Sequence, residues 1–267
     1  AAQPAAQPAA QTQPGTSVHT DSNGKIDGLI VNNCQIIFAN EGKAVTEYGK
    51  DKQLGQYVIV NAANEEGLGG GGIDGIITQR GGKDLADARK ALPIIIPCPN
   101  TVHNIGIPND CNICKRIQTG DAVITGPNRP NGHPIQYGRL HVNYVIHAVG
   151  PDYRLTDATR GDILLRKAYT KSLTLATEND IPNIGFCILS GSIFRHNRPL
   201  EEIINIAFNA VTTYCRDTPN HMLQEIKLYG YMLNEQIEFE KIKTKISTGQ
   251  MGGSKDESAK PEEYTFF

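Results

Sequence analysis

The stretch Val58–Asp74, VIVNAANEEGLGGGGID, most constrains the fold, because an apolar run, four consecutive glycines and a helical pattern follow one another there. Val58–Val60 is the β-branched kind of run that fills a strand buried on both faces. Gly69–Gly72 have no side chains to pack, but they let backbone N–H groups approach a ligand closely. A glycine-rich turn that leads into a helix suits an anionic group such as a pyrophosphate. The pattern therefore predicts an anion-binding loop, with a merely flexible loop as the alternative.

Two common nucleotide-binding motifs do not account for these glycines. A P-loop needs Gly-Lys-Ser/Thr after the glycines, and Ile73-Asp74-Gly75 stands there instead. A dinucleotide-binding turn needs an acidic residue at the end of the next strand, at a spacing that this chain does not offer.

Charge and composition exclude several classes of function. A formal net charge of −2 argues against a broad basic surface for duplex nucleic acid or anionic membranes. No run approaches the ~18 apolar residues that span a bilayer, and the N-terminus lacks a basic and then apolar signal pattern. Six cysteines in 267 residues do not make a disulfide scaffold. We therefore expect a soluble, cytoplasmic protein in a reducing compartment.

The sequence predicts one domain between two polar terminal segments. Residues 1–24 repeat Ala, Gln and Pro without an amphipathic period and predict a disordered linker, and residues 247–267 predict a disordered tail. Between them, residues 25–246 alternate strand and helix patterns, with a Gly81-Gly82 break between two helical segments and an insertion at about 93–118. This alternation predicts an α/β fold with a mostly parallel sheet and a ligand at the carboxyl ends of its strands.

Two stretches carry a resemblance to a known family. Asn61-Ala62-Ala63-Asn64, followed by Leu68, Gly69–Gly72, Ile73, Asp74 and Gly75, resembles the first ligand loop of macrodomains, the ADP-ribose-binding α/β modules. Ser190–Phe194 is similar to the loop with which macrodomains wrap the diphosphate and lean an aromatic ring on the distal ribose. The likeness spans about Ile26 to Lys243, and it implies a three-layer α/β/α fold with a mixed, mostly parallel central sheet.

The resemblance implies a ligand-binding set and an ADP-ribose diphosphate lying between the two loops. The implied ligand-binding residues are Asn40, Asn61, Gly70, Gly71, Gly72, Ile73, Ser190, Gly191, Ser192, Ile193 and Phe194.

Several positions depart from the family pattern. Asn40 stands where macrodomains have the Asp that holds the adenine amino group, and its amide oxygen could still accept that hydrogen bond. Ser192 replaces a glycine. The segment Arg195-His196-Asn197-Arg198 replaces a shorter, glycine-containing link. Its two arginines either add positive charge beside the phosphates or lie on the solvated surface.

In hydrolytic macrodomains an Asn of the first loop orients the distal ribose, and the Asp after the glycines assists the attacking water. These roles fall on Asn64 and Asp74, which implies hydrolysis of mono-ADP-ribose from modified proteins. Asp74 could instead be a helix N-terminal acid stabilised by the helix dipole. Thr78 occupies the position of a frequent family His, and His147 resembles a structural strand residue.

Two alternative functions stay open. A non-catalytic reader of ADP-ribose or ADP-ribosylated proteins needs both loops but not Asp74. A poly-ADP-ribose glycohydrolase would carry paired glutamates shortly after the glycines, where Gly75-Ile76-Ile77-Thr78 offers none.

The insertion carries a possible metal site. Cys98, His103, Cys111 and Cys114 are spaced C-x4-H-x7-C-x2-C, a ligand set that satisfies a tetrahedral structural zinc. The alternative is an insertion with free thiols, because the first half of the spacing is irregular. No cofactor is expected for the hydrolysis itself.

Overall fold

Eight strands form one continuous sheet in the computed structural model, which describes residues 15–39, 45–97, 113–218 and 220–250. In chain order the strands are β1 Thr16–Thr20, β2 Ile26–Val31, β3 Cys34–Ala39, β4 Tyr57–Ala62, β5 Ala122–Thr125, β6 Val145–Ala148, β7 Asn183–Cys187 and β8 Glu225–Tyr229. Their order across the sheet is β1-β2-β3-β8-β7-β4-β6-β5.

The centre of the sheet is parallel and its edges are antiparallel. The pairs β3/β8, β8/β7, β7/β4 and β4/β6 are parallel. The pairs β1/β2, β2/β3 and β5/β6 are antiparallel. The carboxyl ends of β3, β8, β7, β4 and β6 therefore share one edge, and the mixed, mostly parallel sheet implied by the resemblance is confirmed.

Helices cover both faces of this sheet. They are α1 Gly72–Lys90, α2 Ala158–Glu178, α3 Leu200–Asp217 and α4 Leu233–Ser247. The helices α2, α3 and α4 pack on one face, and α1 packs on the other. Val58 and Val60 enter the first core while Ile59 enters the second, which explains the continuous apolar run of β4. The fold is thus a three-layer α/β/α arrangement.

The predicted linker at residues 1–24 is wrong for its last part, because Thr16–Thr20 forms the edge strand β1. This strand pairs antiparallel with β2 and is mostly exposed, so backbone hydrogen bonds to β2 hold it rather than apolar burial. A hydropathy pattern does not reveal such a strand. Residues 1–14 lie outside the described part of the chain.

The tail predicted from residue 247 onward overlaps the end of α4. Ser247, predicted as the first residue of the tail, is the last residue of α4, and residues 251–267 lie outside the described ranges. Ile96 and Lys115 form an antiparallel bridge that closes the insertion at its base. No helix within the described ranges is long and apolar enough to cross a membrane.

The first helix contains a sharp kink. Gly82, at φ 64° and ψ −156°, separates two helical segments of α1, in agreement with the break predicted at Gly81-Gly82. Only glycine adopts this backbone conformation readily. The kink therefore changes the direction of the second helical segment of α1.

Candidate functional site

The two predicted loops lie at the same edge of the sheet. The first follows β4 and the second follows β7, and these strands are parallel neighbours. A third segment follows β6, the other neighbour of β4, and contacts the second loop where the Ser190 hydroxyl donates to the Pro151 carbonyl at 2.8 Å. Sequence-distant segments thus meet at the carboxyl ends of the strands, where ligands of open α/β sheets bind.

The glycines leave the start of α1 open to an anion. Gly70, Gly71 and Gly72 are exposed, and no side chain caps the N-terminus of the helix at Gly71. The first N–H groups of a helix have no partner within the helix, and they lie at the positive end of its dipole. A side chain added at Gly71 or Gly72 would point into open space. Backbone donors at this corner are therefore accessible to a phosphate group.

Asn64 closes the first loop. Its side-chain nitrogen donates to the Gly69 carbonyl at 3.1 Å, and its side-chain oxygen accepts from the Gly67 amide at 3.1 Å. A Cβ atom built on Gly70 would lie 3.6 Å from the Asn64 nitrogen and 3.1 Å from Asp74 Oδ2. The structure therefore brings the side chains of Asn64 and Asp74 to the same glycine.

Asp74 is buried and paired. Its Oδ1 accepts from Arg89 at 2.7 Å and from Asn61 at 2.8 Å, and its Oδ2 lies 3.3 Å from a second guanidinium nitrogen of Arg89. The side chain of Arg89 is fully buried. Burying a charge without a partner is costly, so this ion pair forms one electrostatic unit. Asp74 thus has a firm structural role beside the predicted catalytic one.

Asn61 lies behind Asp74 rather than at the surface of the site. It is fully buried at the end of β4, and its side-chain nitrogen also contacts Nδ1 of His147 at 3.1 Å. The other ring nitrogen of His147 lies 3.0 Å from the Thr125 hydroxyl. Burial, with a smaller contribution from Arg89, holds the pKa of His147 well below its usual value. The imidazole is therefore a neutral structural group, and Asn61 supports Asp74.

The second loop is held by backbone hydrogen bonds and by the buried Ser190 hydroxyl, which donates to the Pro151 carbonyl. Ser190 adopts a positive φ of 54°, and Gly191 donates to the Ile188 carbonyl at 3.2 Å. Ser192 and Ile193 are exposed, and Phe194 is half-buried. The Phe194 carbonyl accepts from the Tyr153 amide at 2.8 Å, which ties this loop to the segment after β6.

Both arginines of the second loop have partners within the protein. Arg198 pairs with Asp162 at 2.6 Å and with Glu202, and its guanidinium lies over the Tyr153 ring. Arg195 donates to the Arg198 carbonyl. Of the two interpretations of these arginines, the geometry favours a structural surface cluster over positive charge aimed at phosphates.

Several predicted site residues cannot be placed. Asn40 lies outside the described residues, as do Cys98, His103 and Cys111. Cys114, the remaining predicted zinc ligand, is fully buried. Among the described residues no group of three or more His, Cys, Asp or Glu side chains could hold a metal ion. The predicted zinc site thus remains a prediction.

Sequence reasoning missed two residues of interest at this edge. Arg89 lies beyond the kink of α1, and the signal for it was the Gly81-Gly82 break, which turns the helix back toward its own start. Tyr231 follows β8 and is 60% exposed. The Gly230 amide donates to the Ala39 carbonyl at 3.1 Å, so Tyr231 stands beside the end of β3.

Comparison with known proteins agrees with this geometry. The family model described as Macro domain matches residues 60–97 and 105–207. A macro domain-containing protein of Listeria monocytogenes is 30% identical over 193 residues, which cover 67% of this chain and 90% of that protein. The ADP-ribose glycohydrolase MACROD2 of Xenopus laevis is 33% identical over 198 residues, 70% of this chain and 39% of that protein.

A solved structure gives the same result for the fold. The Trypanosoma brucei macrodomain in complex with ADP-ribose superposes with a TM-score of 0.53 at 27% identity, covering 78% of this chain and 68% of that chain. The family match covers more than half of the chain and includes the β4–α1 junction and the loop after β7. On these grounds the chain belongs to the macrodomain family.

Proposed function

We propose that this protein binds ADP-ribose and hydrolyses single ADP-ribosyl groups from modified proteins. The observation that carries the proposal is the β4–α1 junction, where exposed glycines, an uncapped helix start, Asn64 and Asp74 adjoin. The related Trypanosoma brucei macrodomain is in complex with ADP-ribose, and the related Xenopus laevis protein is named an ADP-ribose glycohydrolase.

The diphosphate fits between the two loops. One side offers the open N–H groups at the start of α1, and the other offers the backbone of Gly191–Phe194. Both segments are turns at strand ends, and backbone N–H groups at a helix start favour anions without any basic side chain. This agrees with the pairing of Arg195 and Arg198 inside the protein.

The adenine belongs at the β3–β8 end of the same edge in this proposal. Asn40 follows β3 in the sequence, and the exposed ring of Tyr231 follows β8. Stacking of a base on an aromatic ring contributes roughly 1–3 kcal/mol. Tyr231 therefore offers base affinity that does not depend on the charge of the Asp that Asn40 replaces.

The hydrolysis would take place at the anomeric carbon of the distal ribose. A water oxygen bonds to that carbon, the bond to the protein side chain breaks, and a proton passes from the water to the leaving group. In this proposal Asn64 fixes the sugar, and the Asp74 carboxylate polarises the water or stabilises developing positive charge. Phe194 limits the position of the ribose from the opposite loop.

Calorimetric titration with ADP-ribose and a hydrolysis assay on mono-ADP-ribosylated protein test the two halves separately. Asp74→Ala should lose most turnover, on the order of 10²–10⁴-fold, and change affinity by less than about tenfold. Because it also leaves Arg89 buried without its partner, at a cost of about 3–5 kcal/mol, Asp74→Asn should be measured beside it. An absence of both binding heat and thermal shift would refute ADP-ribose binding.

A specific observation favours the second candidate, a non-catalytic reader. Both carboxylate oxygens of Asp74 already accept hydrogen bonds from Arg89, and Oδ1 accepts a further one from Asn61. A reader needs only the loops. Full affinity for ADP-ribose without hydrolysis of any acidic-linked or serine-linked substrate would establish the reader in place of the hydrolase.

A further inference from the structure

The pairing of Arg89 with Asp74 depends on the kink in α1. The two residues are 15 positions apart, so about 22 Å of straight helix would separate them at 1.5 Å per residue. In the structure their side chains are hydrogen-bonded at 2.7 Å. The reversal at Gly82 makes this contact possible, because it turns the second helical segment back toward the first.

Arg89 is itself fixed by three separate parts of the site. Its Nε donates to the Gly67 carbonyl in the first loop, and one terminal nitrogen donates to the Thr78 hydroxyl at 2.7 Å in the second turn of α1. The remaining bonds go to Asp74 in the first turn. A planar guanidinium with this many fixed partners holds a carboxylate in one plane.

The two oxygens of Asp74 are not equivalent. Oδ1 accepts two short hydrogen bonds, from Asn61 at 2.8 Å and from Arg89 at 2.7 Å. Oδ2 accepts one contact at 3.3 Å and lies beside Gly70, 3.1 Å from the site of an added Cβ. A carboxylate oxygen can accept more than one hydrogen bond. Oδ1 is therefore the anchored atom, and Oδ2 retains capacity on the side of the glycine loop.

We propose that Arg89 is a positioning residue for the hydrolysis, which holds Asp74 so that Oδ2 faces the bound ribose. The proposal rests on the hydrolase function proposed above. Arg89 acts through Asp74 and touches no part of the ligand. Orientation of a reacting group within about 1 Å can change rates by about 10²-fold, so the effect belongs in turnover rather than in ligand affinity.

Arg89→Lys tests this role while it keeps the positive charge. A lysine ammonium is a single point and cannot reproduce the planar fork that spans both Asp74 oxygens and the Gly67 carbonyl. We expect kcat to fall about 10–100-fold and the Kd for ADP-ribose to stay within about threefold. Arg80→Lys, on the same helix but paired with Glu47 instead of Asp74, is the matched control and should change neither value.

Combining Arg89→Lys with Asp74→Asn distinguishes a positioning role of Arg89 from a general disturbance of the structure. In an Asp74→Asn protein, Arg89→Lys should alter the residual kcat by less than about twofold, because a residue that acts through Asp74 has nothing left to position. If Arg89→Lys fails to fold, Thr78→Val removes one anchor of the guanidinium and should lower kcat at least about threefold with unchanged Kd.

The outcomes distinguish failure of the positioning role from failure of the proposed hydrolase function. A parent protein that binds ADP-ribose but hydrolyses nothing overturns the hydrolase function and the positioning role together. An active parent whose Arg89→Lys variant keeps its kcat, or gains activity, overturns the positioning role alone. The same holds if Arg89→Lys weakens Kd as much as kcat, or if a fallback Thr78→Val variant keeps its kcat.

Discussion

Nδ1 of His147 lies 3.1 Å from the side-chain nitrogen of Asn61, and both residues are fully buried. The Asn61 nitrogen also donates to the Asp74 carboxylate at 2.8 Å, which fixes the orientation of the amide. An amide nitrogen only donates, so Nδ1 must accept and the imidazole proton must sit on Nε2, toward the Thr125 hydroxyl. Protonation at Nδ1 would remove the acceptor and disturb the support of Asp74.

This arrangement predicts that stability falls in mild acid. Burial lowers the pKa of His147 in the folded state, so below its ordinary value of 6.5 the unfolded state binds a proton that the folded state does not. The contribution of His147 is complete above pH 6.5 and is lost as the pH falls toward the folded pKa. We expect a loss on the order of 1 kcal/mol in the free energy of unfolding between about pH 7.5 and 5.5.

Denaturant unfolding at several pH values checks this expectation. His147→Gln is the appropriate comparison, because it removes the titrating group while all other histidines remain. The variant should be less stable near neutrality but should lose less stability on acidification. Equal slopes in the parent and the variant would show that His147 does not carry the effect.

The sequence was sufficient to predict the fold and to identify two loops that the structure brings to one edge of the sheet. The continuous apolar run of β4, the Gly81-Gly82 break and the alternation of elements each reflect local physics that survives into the structure. The edge strand β1 was not predictable in this way, because a polar strand is stabilised by its neighbour and has no apolar pattern of its own.

The network around Asp74 was beyond sequence reasoning for a different reason. Asn61 was predicted to touch the ligand, but the register of β4 and β6 places it opposite His147, inside the protein. Arg89 is predictable as helical, yet its partner depends on the direction that the chain takes after Gly82. Pairings across a kink or between strands depend on tertiary geometry, which residue spacing does not encode.

A substitution in the glycine loop should weaken the binding of ADP-ribose without changing the stability of the fold. Gly71 has φ −86°, and a methyl group there meets no atom within 4 Å. Gly71→Ala should therefore leave the free energy of unfolding within about 0.5 kcal/mol. The methyl group would stand in the space that the diphosphate needs, so we expect at least about tenfold weaker binding of ADP-ribose by calorimetry.

Gly72→Ala is the matched comparison. Its Cβ atom also points into open space, but the backbone φ of 60° is strained for an L-residue. This variant should lose about 1–2 kcal/mol of stability as well as affinity. Binding by Gly71→Ala as tight as that of the parent would place the diphosphate elsewhere.

Elemental analysis tests the predicted zinc site. If Cys98, His103, Cys111 and Cys114 form a tetrahedral site, protein purified without chelator should contain about one zinc per chain. Cys114→Ser should remove the metal, whereas Cys34→Ser changes a buried thiol outside the set and should retain it. Protein without zinc would reject the predicted site.

The backbone and the ring of Phe194 make different contacts, so replacing the side chain can test the ring alone. The Phe194 carbonyl anchors the loop to the Tyr153 amide, a contact that any side chain at this position can keep. The Phe194 ring is half-buried, and the guanidinium carbon of Arg154 lies over it, 5.9 Å from the ring centroid. Phe194→Ala should therefore fold normally but lose the contact with the distal ribose. Both Kd and kcat should worsen, with a loss of about 1–2 kcal/mol in binding, or roughly 5–30-fold.

Arg154→Ala separates the ring from the cation above it. Arg154 is exposed and pairs with Asp152, whereas the backbone of Phe194 is held by Tyr153. Arg154→Ala should therefore leave the ring in place and change the Kd for ADP-ribose by less than about threefold. Calorimetry and the hydrolysis assay on both variants measure the difference. A ring that touches the sugar must affect binding, whereas one that only shapes the loop around the reacting carbon would affect turnover alone. A Phe194→Ala protein with lowered kcat but unchanged Kd would therefore contradict direct contact between the ring and the ribose.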